Sequence, residues 1–239
     1  MSPAAQRKIP SGQYLLIDAD DTLWENNIYF ERAIANFISF LNHHEFTPDQ
    51  VRGVLYDVER ENIRTHGYGM HSFALALVKC FEQLSIEPLT PALHETIHGF
   101  AYAIAEHPME ILPEVPETLA ALAQRHHLFL VTKGNITEQS GKVERSGLKE
   151  YFTAVEVVAE KDAATYNRVV EKYGLVRDRT WMIGNSPNSD INPALQAGLH
   201  AVFVPHHNTW MLERGELRPE VGNGRLLEVG NFGRLREVF

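Results

Sequence analysis

Cysteine is nearly absent. Cys80 is the single one among 239 residues, which excludes an intramolecular disulfide and a cysteine-rich zinc site and fits a reducing, cytoplasmic location. Basic runs are missing too. Asp and Glu total 31 against 22 Lys and Arg, a formal net charge of −9. A nucleic-acid surface needs clustered cations facing phosphates, so no nucleic-acid partner is expected. No stretch approaches the ~18 consecutive apolar residues of a membrane span, and "MSPAAQRKIPSG" lacks the apolar segment of a signal peptide. There is no internal repeat and no low-complexity tract. What remains is a globular composition, 44% hydrophobic and 22% charged, in a chain long enough for a large core plus an insertion.

The apolar pattern changes twice along the chain. Residues 14–17 read as a short buried strand. From Ile28 to His107 the spacing is helical: Phe30, Ala33, Ile34, Phe37, Ile38 and Leu41 form one face, and three further faces follow. Thr47 is placed to cap the second helix, with Pro48 in its first turn. Beyond Pro113, strands and helices alternate, with strands predicted at 127–132, 154–159, 180–184 and 200–205 and helices between them. "RLLEV" (225–229) is a candidate edge strand. Alternation of this kind predicts an α/β fold, a doubly wound parallel sheet. The four-helix stretch interrupts it as an all-helical insertion, so residues 1–25 and 109–239 should form the α/β core and 26–108 a helical cap.

Ligands of an open parallel sheet bind beyond the carboxyl ends of its strands. After the first strand come Asp18, Ala19, Asp20, Asp21 and Thr22; after the second Thr132, Lys133, Gly134 and Asn135; after the third Glu160, Lys161 and Asp162; after the fourth Gly184, Asn185, Ser186 and onward to Asp190. Like charges packed as tightly as Asp18, Asp20 and Asp21 need a cation among them, so a metal ion and a phosphate are the expected company. Taken singly these residues have plainer readings. Asp20 and Asp21 suit a turn or helix cap, Thr132 a strand-end hydroxyl, Lys161 a solvated surface, Asp162 and Asp190 helix N-caps.

"DADDTL", "VTKGN", "EKD" and "GNSPNSD", in this order and spacing, resemble the four motifs of the haloacid dehalogenase superfamily over about residues 14–205, and the helical insertion resembles its cap domain. The resemblance implies a Mg²⁺-dependent phosphohydrolase of small phosphorylated metabolites. It implies Asp18 as nucleophile forming an aspartyl-phosphate and Asp20 as general acid and base. Thr132 and the backbone N–H groups of Lys133 and Gly134 would hold phosphoryl oxygens, and Lys161 would balance charge between nucleophile and phosphate. Mg²⁺, which takes hard oxygen ligands, would be held by Asp18, the Asp20 carbonyl, Asn185 and Asp190. One departure stands out. The superfamily usually has Asp where Asn185 stands, so the site carries one negative charge fewer and weaker Mg²⁺ affinity is expected.

Substrate selection would fall to the insertion. In "ENIRTHGYGMHSF" (61–73), read as the link between two helices, Arg64, His66 and Tyr68 offer donors and an aromatic face; Trp24, at the entry to the insertion, would line the cleft or pack. The adjacent histidine pairs 43–44, 126–127 and 206–207 point apart on any helix or strand and lack i,i+4 zinc spacing, so at least most of them read as ordinary surface or boundary residues. Two rivals share the scaffold: a phosphomutase, and a non-catalytic protein that binds a phosphorylated ligand.

Overall fold

The computed structural model describes residues 8–41 and 45–239; the pair His43–His44 lies outside them. The chain divides into two compact units, 1–25 with 109–239, and 26–108.

The first unit is built on six strands: β1 (Tyr14–Ile17), β2 (His127–Lys133), β3 (Ala154–Val158), β4 (Thr180–Gly184), β5 (His200–Phe203) and β6 (Leu226–Glu228). All pairings are parallel and the spatial order is β3-β2-β1-β4-β5-β6. The candidate edge strand at 225–229 is therefore real. β1 leads outward to β2 and β3 on one side, and the chain returns to place β4 on the other, so the order reverses between β1 and β4. Ile17 pairs with Leu130 and with Ile183.

Side chains alternate across the sheet with period two, and both faces are apolar. Leu15, Ile17, Leu128, Leu130, Trp181 and Ile183 pack with α5 (Val115–Ala123), α6 (Ile136–Ser146) and α9 (Leu235–Val238). Leu16, Phe129, Val131 and Met182 pack on the opposite face with α7 (Ala163–Tyr173) and α8 (Asn192–Gln196). A strand buried on both faces needs a continuous apolar run, which is why "YLLI" is uninterrupted. Helix ends follow local chemistry. Asn135 accepts from the Thr137 and Glu138 N–H groups, Asp162 caps α7 through the Thr165 N–H at 2.7 Å, and Gly147 and Gly174 close α6 and α7 in the left-handed region.

The second unit contains α1 (Asn27–Leu41), α2 (Pro48–His66), α3 (Met70–Leu84) and α4 (Pro91–Tyr102). Its core gathers Ile34, Phe37, Leu55, Phe73, Leu77, Phe81 and Ile97. Thr47 and Gln50 form a reciprocal capping box at the start of α2. The stretch 61–73 is not a linking loop: Arg64 and His66 belong to the last turn of α2, and only Gly67, Tyr68 and Gly69 separate it from α3. Arg64 and His66 are exposed and Tyr68 is half-buried. None of the described helices is long and apolar enough to cross a membrane.

Candidate active site

The residues that follow β1, β3 and β4 meet at the reversal of strand order. Asp18, one residue past β1, is 6% exposed, and its N–H donates to the Ile183 carbonyl at 2.9 Å. Lys161 reaches in from the loop after β3, and its ammonium is paired with both Asp18 Oδ1 and Asp190 Oδ1, the latter at 2.8 Å. Thr22 donates to Asp18 Oδ2 at 2.9 Å and lies 3.2 Å from Asn185 Oδ1. The other end of the Asn185 amide donates to Thr209 Oγ1 at 3.1 Å. Its oxygen is thus turned to the Asp18 side. Thr132 is buried on β2, two residues beyond the one paired with Ile17.

Asp190 does not cap a helix. It sits in a π turn, Pro187–Ile191, fully buried, where its Oδ2 accepts the Ser186 N–H at 2.9 Å. Gly184 makes this possible: a methyl group there would overlap the Asp190 carboxylate. Burial and then the Asp18 charge push the Asp190 carboxyl up to about 7, against the attraction of Lys161. Burial works against the Lys161 ammonium, but Asp18 and Asp190 outweigh it and raise its pKa.

Asp20 is held apart from this pair. Its carboxylate accepts from Trp24 Nε1 at 2.7 Å, Gln139 Nε2 at 2.9 Å and Lys142 Nζ at 2.9 Å to both oxygens. Burial would raise its pKa, yet the Lys142 charge and these bonds win and lower it. Trp24 therefore packs rather than lining a cleft. It is 1% exposed within the core of its unit, with its indole N–H spent on Asp20. A second correction concerns Gly134, whose N–H is committed to the Val158 carbonyl at 3.1 Å and is not available to a phosphoryl oxygen. The Lys133 side chain is ion-paired with Glu160 and Glu213 and lies 2.8 Å from Ser189 Oγ.

Several residues here escaped the sequence reading. Gln139 and Lys142 lie three apart on α6, and the available signal was a polar Gln on its inward face. Glu213, whose carboxylate also accepts from Ser186 Oγ, comes from an irregular tail with no periodicity to mark it. The histidine reading also needs correction. His206 and His207 follow Pro205 in a loop, and their rings stand 4.6 Å apart instead of diverging.

Hard oxygen donors dominate the centre: two buried carboxylates and an inward-turned amide oxygen, with the Lys161 ammonium to offset them. That donor set suits Mg²⁺, which prefers carboxylate and carbonyl oxygens.

Acids and a buried lysine converging at the switch point of a parallel sheet define an enzyme of the open-sheet α/β class. The chain belongs to the haloacid dehalogenase-like hydrolase family, whose model matches residues 13–198. It is 29% identical over 133 residues to a pyrimidine 5'-nucleotidase of Escherichia coli, a match covering 53% of this chain and 56% of the relative, so the chain spans about half the length of that protein. It is 24% identical over 233 residues to a glyceraldehyde 3-phosphate phosphatase of Methanothermobacter thermautotrophicus, covering 94% and 98%. The crystal structure of a haloacid dehalogenase-like hydrolase from Xanthomonas campestris superposes with a TM-score of 0.79 at 29% identity, over 95% of this chain and 94% of that one.

Proposed function

We propose that the protein is a Mg²⁺-dependent phosphohydrolase acting on small phosphorylated metabolites. The observation that carries this reading is the ammonium of Lys161 between two buried carboxylates, because phosphoryl transfer is catalysed mainly by positioning and charge compensation. Relatives named as a nucleotidase and a phosphatase point the same way.

Asp18 is the nucleophile. One of its oxygens attacks phosphorus, the bond to the leaving oxygen breaks, and an aspartyl-phosphate on Asp18 results. Lys161 and Thr22 hold the carboxylate in one orientation. Thr132 and Lys161 receive the phosphoryl oxygens. Asp18, Asn185, Asp190 and the Asp20 carbonyl would hold Mg²⁺, which supplies charge neutralisation for the phosphoryl group. Asp20 moves the proton: it delivers one to the leaving oxygen, then takes one from the water that hydrolyses the aspartyl-phosphate. At rest it is the carboxylate form that Lys142, Gln139 and Trp24 stabilise, which is the form the second step needs. The first step requires Asp20 to leave Lys142 and gain a proton. The unit 26–108 is proposed as the cap that selects the substrate, with Arg64, His66 and Tyr68 as its candidate contacts.

Purified protein with Mg²⁺ and p-nitrophenyl phosphate tests the reading. Hydrolysis that EDTA stops and Asp18→Asn abolishes is expected. Absence of turnover on this substrate and on a broad panel of phosphorylated metabolites would make the protein a binder rather than a hydrolase, and phosphoryl exchange between sugar phosphates without release of phosphate would make it a mutase.

A further inference from the structure

Outside the catalytic centre, one group of donors converges among the described residues: Glu25, His206 and His207, with ligand atoms all within 4.8 Å of one another. All three belong to the core unit. The His206 side chain is 8% exposed. Its Nε2 and Glu25 Oε2 are buried atoms without a hydrogen-bond partner among the described residues, although they lie 3.4 Å apart. The two groups form a close but unaligned pair, and their spacing is the one a shared cation would give. A cation bound tetrahedrally at about 2.1 Å from each donor separates two ligand atoms by about 3.4 Å, and zinc binds imidazole nitrogen and carboxylate oxygen at about that length.

From this geometry we infer a second cation site, made by Glu25, His206 and His207, for a zinc-class divalent ion (Zn²⁺, Co²⁺ or Ni²⁺). Two imidazoles select such ions over Mg²⁺. The backbone holds the ligands in place. The Glu25 N–H donates to Glu110 O at 2.9 Å, and the His206 carbonyl accepts from Thr209 Oγ1 at 2.9 Å. His207 is exposed, with its Nε2 3.1 Å from Asn208 Nδ2, a contact that ligation through that nitrogen would replace. Burial, against the pull of Glu25, lowers the His206 pKa, which favours the neutral imidazole a metal needs.

Nδ1 of His206 accepts the Asn208 N–H at 3.3 Å, and Asp21 Oδ1 lies 3.9 Å from the same nitrogen, on the side where a carboxylate would support a metal-bound histidine. The ion would tie the loop after β1 to the loop after β5.

Metal-stripped full-length protein is titrated with Co²⁺ and followed by its visible d–d absorption, with excess Mg²⁺ present. The expected result is one equivalent bound with a histidine-ligated spectrum, unchanged in Asp18→Asn and weakened at least tenfold in His206→Gln and in His207→Gln. His207 is exposed, so its variant keeps the fold, which a thermal melt checks. Co²⁺ binding that Mg²⁺ or Asp18→Asn removes would assign the ion to the catalytic acids and overturn the site. Equal affinity in the wild type and His207→Gln, or no binding at all, would overturn it as well. Each outcome that overturns the second site leaves the phosphatase reading standing, and p-nitrophenyl phosphate tests that reading separately.

Discussion

Lys161→Met removes the cation that pairs with both Asp18 and Asp190. Breaking a buried ion pair by deleting one partner costs about 3–5 kcal/mol. At roughly 2–4 °C per kcal/mol for a chain of this size, the melting temperature falls on the order of 10 °C. The loss must also depend on pH, and its sign follows from Asp190. That carboxyl is already raised to about 7 in the folded protein, from an ordinary value of 3.8, so the folded state binds more protons and stability falls as pH rises. Between pH 6 and 8 this group costs the wild type on the order of 1 kcal/mol. Without Lys161 the carboxyl is raised further and stays protonated over more of that window, so its cost across the window grows. The variant should therefore lose more at pH 8 than at pH 6, relative to wild type, by an amount on the order of 1 kcal/mol. Paired thermal melts at the two pH values, in EDTA so that no cation substitutes for the lysine, measure this difference. A penalty equal at both pH values, or larger at pH 6, refutes the claim that Lys161 restrains these two acids.

Three other expectations follow from the same geometry. Asn185→Asp restores a charge beside Asp18 and should tighten apparent Mg²⁺ affinity, read as a lower Mg²⁺ concentration for half-maximal hydrolysis; unchanged or weaker affinity means that Asn185 does not ligate. Lys142→Met removes the charge that lowers the Asp20 pKa, so the alkaline limb of kcat/KM for alkyl phosphates should move to higher pH, and an unmoved limb argues against Asp20 as the acid. Glu59, 7% exposed in the helical unit, has a carboxyl pushed up to about 8 by burial and then by Glu31. Folding stability should therefore decline as pH rises from about 4.5 to 8, by up to about 5 kcal/mol, and Glu59→Gln should flatten that decline in urea melts across the same range.

The sequence by itself determined the layered sheet. Strand and helix periodicities are local, and runs such as "YLLI", "FLV" and "WMI" can be buried on both faces only inside a parallel sheet. It also marked Asp18, Lys161, Asn185 and Asp190, because polar residues directly after buried strands must emerge at the carboxyl edge. Tertiary structure alone decided how these groups pair. Asp20 finds Gln139 and Lys142 more than a hundred residues away. Trp24 turns inward to join them, and the Gly134 N–H is consumed by the neighbouring strand. Glu25 and His206 meet through two irregular loops. Loops carry no period from which a side chain's direction can be read, and hydrogen-bond partners are set by which distant backbone happens to pass within 3 Å. His206 and His207 show the point most directly: adjacent residues diverge on a helix or strand, but the turn after Pro205 obeys neither geometry and brings both rings together.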